Sequence, residues 1–154
     1  MTAAIEVDQQ VVYFDRDAFK RAHVDPDSII NLFQQVARQI PGVSRVDRFR
    51  DLLKADTVGD PITRRWVHQM PADYPVDLVA TLTKGSIWAG IVATHGSPYD
   101  NDSNVPIIFY GPGFAPGRYT DFVRTVDIAP TLAARLGVTP MEKLDGVVLK
   151  RALK

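Results

Sequence analysis

Apolar residues recur along the chain with two periods, one near two and one between three and four, and these divide it into strands and helices. Gln10-Val-Val-Tyr-Phe-Asp15 has the β-branched and aromatic content of a strand. Ile29, Phe33, Val36 and Ile40 fall at spacings of four, three and four, which lays one apolar stripe along a helix. Asp25-Pro26 opens that helix with a capping carboxylate and a proline whose missing N–H costs nothing in the first turn, and Pro41-Gly42 closes it. Val43-Ser-Arg-Val46 predicts a short strand leading into a helix over 47–54. Asp60-Pro61 repeats the start signal and predicts a helix through residue 68. Val76-Asp-Leu-Val-Ala-Thr-Leu-Thr83 is the strongest strand of this half.

The order β-α-β-α-α-β predicts a small α+β lobe over residues 1–86. From 87 to 154 the texture changes, with more Gly and Pro and longer loops. Here Val105-Pro-Ile-Ile-Phe-Tyr110 is an apolar run between turn residues, as expected for a buried strand. Residues 127–136 predict a helix with Asp127 as N-cap, Pro130 in the first turn and Gly137 just past the end. That capping role accounts for Asp127.

Bulk properties narrow the function classes. The chain has 154 residues, 45% hydrophobic and 23% charged, the make-up of a globular domain with a real core. Lys and Arg number 18, as do Asp and Glu, so no net field draws it to nucleic acid or an acidic membrane, and neither is expected as a partner. With no cysteine, disulfides and thiolate metal sites are excluded. The opening residues lack a basic stretch followed by an apolar one, so no signal peptide is expected in this sequence, and no apolar run reaches transmembrane length.

Chemistry concentrates in Ala93-Thr-His-Gly-Ser-Pro-Tyr-Asp-Asn-Asp-Ser-Asn-Val-Pro106, a loop just before the 105–110 run. α/β folds place site residues in such loops. His95 in a Gly/Ser setting is either a metal ligand or a hydrogen-bonded loop residue. Asp100 and Asp102 are expected to cap turns of the loop. His23 and His68, the other two histidines, read as surface residues of helices, and Trp66 and Trp88 as core anchors. Asn101-Asp-Ser103 fits a glycosylation sequon by coincidence.

Thr94-His-Gly-Ser-Pro-Tyr-Asp100, then Val105-Pro-Ile-Ile-Phe-Tyr-Gly-Pro-Gly113, Val126-Asp-Ile-Ala-Pro-Thr131 and Asp145-Gly146, resemble the C-terminal signature of bacterial alkaline phosphatases, the single-chain type with a threonine nucleophile and two zinc ions. The resemblance implies an α/β fold: a C-terminal piece of an alkaline-phosphatase-like sheet, preceded by a small α+β insert lobe. It implies that His95 is the last metal ligand in the chain. The nucleophile, the other ligands and the phosphate-binding side chains lie upstream in that family, so no catalytic residue is assigned here. A phosphate-ester substrate, monoester or diester, and a periplasmic or secreted location are implied for the full-length protein. This chain would then need a missing N-terminal half or associate with itself. Asn104 stands where the family commonly has a histidine. The competing reading is a non-catalytic structural or interaction domain, because three protein ligands are needed to hold a catalytic zinc and only His95 matches the pattern.

Overall fold

The computed structural model describes residues 4–88, 90 and 92–154, and its chain forms two compact units, 1–104 and 105–154. The boundary drawn by texture at 86/87 precedes the His95 loop, which packs with the first unit.

The first unit is built on a four-stranded antiparallel sheet in the order β1-β2-β4-β3, with β1 Ile5–Asp8, β2 Val11–Phe14, β3 Val43–Arg48 and β4 Leu78–Leu82. β1 was not predicted. Its four residues include Glu6 and Asp8, and it is a strand because a tight turn at Gln9 and Gln10 folds it onto β2, pairing Asp8 with Val11. Every residue of β4 is buried, as a central strand covered on both faces requires.

Alternation along the strands sends side chains to two cores. Val12, Phe14, Val46, Leu78 and Ala80 face helices α1 (Arg16–Arg21) and α2 (Pro26–Ala37). Val79 faces α3 (Phe49–Leu52) and α4 (Pro61–Gln69), together with Phe49, Leu52 and Trp66. Trp66 is 2% exposed, and its indole N–H donates to Thr81 Oγ1 at 2.8 Å. Trp88 packs against the first core, so both tryptophans serve as anchors.

Both capped helix starts hold. Asp25 accepts from Ser28 N at 2.9 Å, and Asp60 from Ile62 N and Thr63 N at 3.0 and 3.1 Å. The apolar stripe on α2 is rotated from the expected one. Pro26, Ile30 and Ala37 are buried and Phe33 packs beside them, whereas Val36 and Ile40 are exposed and Ile40 lies past the helix end. The winning face, 26-30-33-37, has the same spacing and smaller residues, which lets α2 lie close to β3. Gln34 Nε2 and Arg38 Nη2 then reach Val46 O at 2.6 and 2.7 Å. These bonds occupy a carbonyl on a strand that pairs on one side with β4.

The second unit holds α6 (Ile128–Leu136), closed by Gly137 in the left-handed region as expected. Asp127 is not a side-chain N-cap. It ends a 3₁₀ turn, Thr125–Asp127, and its carboxylate turns back to accept Arg124 N at 2.8 Å and Val147 N at 2.9 Å. Gly146 follows from this clasp, since a Cβ there would collide with Val126 O. Residues 105–110 are not a buried strand. They have no ladder partner among the described residues: Ile107 and Phe109 are half-buried, while Ile108 and Tyr110 are 81% and 98% exposed. An apolar strand needs a neighbour for its N–H and C=O groups, and this unit's described residues offer only the isolated bridge of Phe114 to Leu153.

Candidate functional site

The His95 loop leaves β4 and returns through a one-turn helix, α5, at Asp100–Ser103. Gly96 sits at φ +90°, a conformation other residues adopt only with strain, so the Thr-His-Gly-Ser sequence makes a bend at its third position. His95 precedes that bend and is exposed.

Five contacts hold the loop. Gln10 Nε2, in the β1–β2 turn, donates to Gly96 O at 3.4 Å. Arg65 on α4 donates to Pro98 O at 2.6 Å and to Asp100 Oδ1 at 2.5 Å. Tyr99 OH donates to Leu82 O at 2.8 Å, tying the loop to the end of β4. Within the loop, Asp102 Oδ2 accepts Ser97 N at 3.1 Å. The expectation that Asp102 organises the turn holds. Asp100 does something else, since it pairs with Arg65. Sequence reasoning missed Gln10 and Arg65, which come from far along the chain and carry no local signal.

Electrostatics follow these contacts. Arg65 holds the Asp100 carboxyl below the usual carboxylate range. Ser97, through its hydroxyl and backbone N–H, does the same for Asp102, with a smaller contribution from His95. Both carboxylates therefore stay ionised and engaged by protein donors. The His95 ring makes no hydrogen bond to a described residue, and among the described residues no group of three His, Asp or Glu side chains converges. The loop thus presents one exposed imidazole, which belongs to no group of three candidate ligands among the described residues. His23 and His68 are exposed and distant in sequence, in keeping with surface roles.

Between the β1–β2 turn, the end of β4 and this loop lies a cavity of about 130 Å³, whose walls include Gln10, Ser86, Trp88, Thr94, Ser97 and Asp102.

A fold of this kind with a Thr-His-Gly-Ser loop defines a piece of an alkaline-phosphatase-like structure. The chain matches wild-type alkaline phosphatase PafA with a TM-score of 0.82 and 20% identity, covering 98% of this chain and 29% of PafA. A PafA variant matches equally well, at 21% identity. In sequence, 58 residues (37% of this chain, 10% of the relative) are 47% identical to alkaline phosphatase PhoK of Sphingomonas sp. Another 57-residue match (36% of this chain, 10% of the relative) is 52% identical to alkaline phosphatase PhoD of Zymomonas mobilis. A phosphopentomutase of Pectobacterium carotovorum is 40% identical over 48 residues, 31% of this chain and 12% of that protein. No family model matches the chain. The resemblance to the C-terminal region of alkaline phosphatases therefore holds in both sequence and fold, and the matched stretch spans about a tenth of the curated relatives' length.

Proposed function

We propose that the chain is a section of a metal-dependent phosphate-ester hydrolase of the alkaline phosphatase type, to which it contributes His95 as one metal ligand and not the nucleophile. The observation carrying this is an exposed imidazole with no hydrogen bond to a described residue, on a loop pinned by Gln10, Arg65 and Tyr99. The likeness to PhoK and PhoD supports the reaction class. A bound zinc pair would activate the attacking hydroxyl and stabilise the leaving oxygen. The chain's own residues hold His95 in place: Arg65 fixes the backbone three residues beyond it and Gln10 the carbonyl next to it, as anchoring contacts around ligands generally do.

The nucleophile, taken to be a threonine, and the remaining ligands belong outside these 154 residues. The 105–110 segment, which has no ladder partner among the described residues, is the natural joint for the remainder of the fold, or for a second copy in its absence. A periplasmic or secreted setting accompanies this reading, and no described helix is long and apolar enough to cross a membrane. Absence of a three-ligand cluster among the described residues favours the second reading for the chain by itself, a non-catalytic structural module.

The test is complementation. The chain is mixed with a polypeptide supplying the rest of the fold, taken from PhoK, and hydrolysis of an aryl phosphate is followed with added zinc. Turnover should appear only in the mixture, and His95→Ala should lower kcat/KM by about 100-fold or more. Undiminished turnover by the folded His95→Ala chain would refute the ligand assignment.

A further inference from the structure

The sheet of the first unit treats its two edges differently. At β3 the chain's own side chains close the outer side, with Gln34 and Arg38 reaching Val46 O. At β1 no strand among the described residues lies beyond. Asp15 N donates to Ala4 O at 2.9 Å, while Phe14 N turns the other way, to Asp77 Oδ2 at 3.1 Å. The even-numbered residues of β1 therefore spend their backbone groups on β2, and Ile5 and Val7 direct theirs to the open side.

Side chains along this edge alternate in chemistry. Ile5 packs on the first core, and Val7, on the same face, is 57% exposed. Glu6 and Asp8 lie on the opposite face, about 7 Å apart along the strand, and pair across to Tyr13 and Val11. Both are exposed, and neither carboxylate has an ion-pair or hydrogen-bond partner among the described residues. Next to them Tyr13 and Tyr74 meet edge-on, with ring centroids 6.5 Å apart. Tyr74, burial and the charges of Asp8 and Glu6 push the Tyr13 phenol up to about 12, so both carboxylates act on this aromatic pair.

We propose that β1 is a docking edge for a basic extended segment of another polypeptide, which adds antiparallel with Lys or Arg opposite Glu6 and Asp8 and apolar residues opposite Ile5 and Val7. Charge complementarity selects that partner. The bare N–H and C=O groups of Ile5 and Val7 accept any strand, as in other cases of strand addition. A second copy of β1 would set Glu6 and Asp8 against their own kind, and like charges directly opposite are destabilising. The 105–110 run of a second copy carries no charge and would leave both carboxylates unanswered. A lone cation would answer the carboxylates and leave the backbone groups bare. A basic strand satisfies both, and the long stems of its Lys or Arg residues lie along the tyrosine rings. Charges on an edge strand guard against self-pairing, and here the same two charges choose the foreign strand. The proposal stands on this edge alone and is independent of the hydrolase reading.

The ¹⁵N-labelled chain is titrated with a short blocked peptide of alternating lysine and valine. The amide signals of Ile5 and Val7 should shift with saturation, and their hydrogen exchange should slow. The Trp66 indole N–H, which already donates to Thr81, should stay still and reports that the fold is intact. Reversing both charges, with Glu6→Lys and Asp8→Lys together, should weaken binding about tenfold or more. A peptide with the same side chains but N-methylated at its valines lacks the donors for the ladder and should not bind. Binding of the N-methylated peptide, or of a glutamate–valine peptide, as tightly as the lysine–valine one overturns the proposal. An unchanged affinity in the charge-reversed chain does the same, as does the absence of a saturable shift at Ile5 and Val7. Slowed exchange at Ile5 and Val7 that grows with chain concentration and needs no peptide puts a second copy on this edge and overturns the basic partner.

Discussion

Asp127 joins two stretches of chain twenty residues apart through one carboxylate. It is 3% exposed and accepts the backbone N–H groups of Arg124 and Val147, which hold its carboxyl below the ordinary range. A carboxyl depressed in the fold gives stability that is complete above its unfolded value, about 3.9, and is lost as pH falls through the folded one. The second unit should therefore lose order in acid below about pH 4. The backbone amide NMR signals of Arg124 and Val147, the two donors to this carboxylate, can report this directly. Asp127→Asn should flatten the acid transition, and Asp127→Ala should cost about 2–4 kcal/mol at neutral pH, from two N–H groups losing a charged acceptor. An acid profile unchanged in Asp127→Asn would show that other groups carry it. The sequence made Asp127 conspicuous but misassigned its bond, since local reading offers the next helix as partner and the actual partner, Val147, is non-local.

At the scale of elements, starts encoded in consecutive residues were legible and pairings between distant segments were not. Asp25-Pro26 and Asp60-Pro61 both open helices as read, because a cap is a bond to a neighbour two or three residues on. β1 escaped notice because its pairing to β2 makes it a strand, and the α2 stripe was rotated because only contact with β3 chooses between two similar faces. Asp60 also links elements. Desolvation would raise its pKa, but hydrogen bonds from Arg45, at 2.6 Å, and from Thr63 outweigh this and keep it low. Asp60→Ala removes the α4 cap and one partner of Arg45, so a loss of about 1–3 kcal/mol is expected from the urea midpoint of Trp66 fluorescence. Asp60→Asn, which keeps a capping oxygen, should recover much of it. Equal losses in the two variants would assign the stability to the charge instead of the cap.

For the molecule as a whole, the family likeness was legible because the His95 loop is contiguous, whereas Gln10 and Arg65, the anchors that hold it, are invisible until the chain folds. The larger consequence concerns residues 105–110. Their apolar run was read as a buried strand, and the composition that justified this is intact; what the described residues lack is a partner strand. Alternate residues, Ile107 and Phe109, are half-buried, with Phe109 stacked on Phe114 at 5.0 Å between ring centroids. The intervening Ile108 and Tyr110 are exposed, and residues 105–110 make no backbone hydrogen bond to a described residue. Such an edge recruits any strand available, and in a solution of this chain alone the available strand is another copy. Light scattering should therefore show mass rising with concentration. Replacing Ile108 and Tyr110 with lysine should suppress that rise, because a charge on the bare face opposes strand addition without touching Ile107 or Phe109. The Trp66 melting curve should be the same in both proteins, since that residue reports the first unit. Mass fixed at one chain across the concentration range, with the native sequence, would mean the outward face is satisfied within the chain and needs no remainder of the fold to cover it.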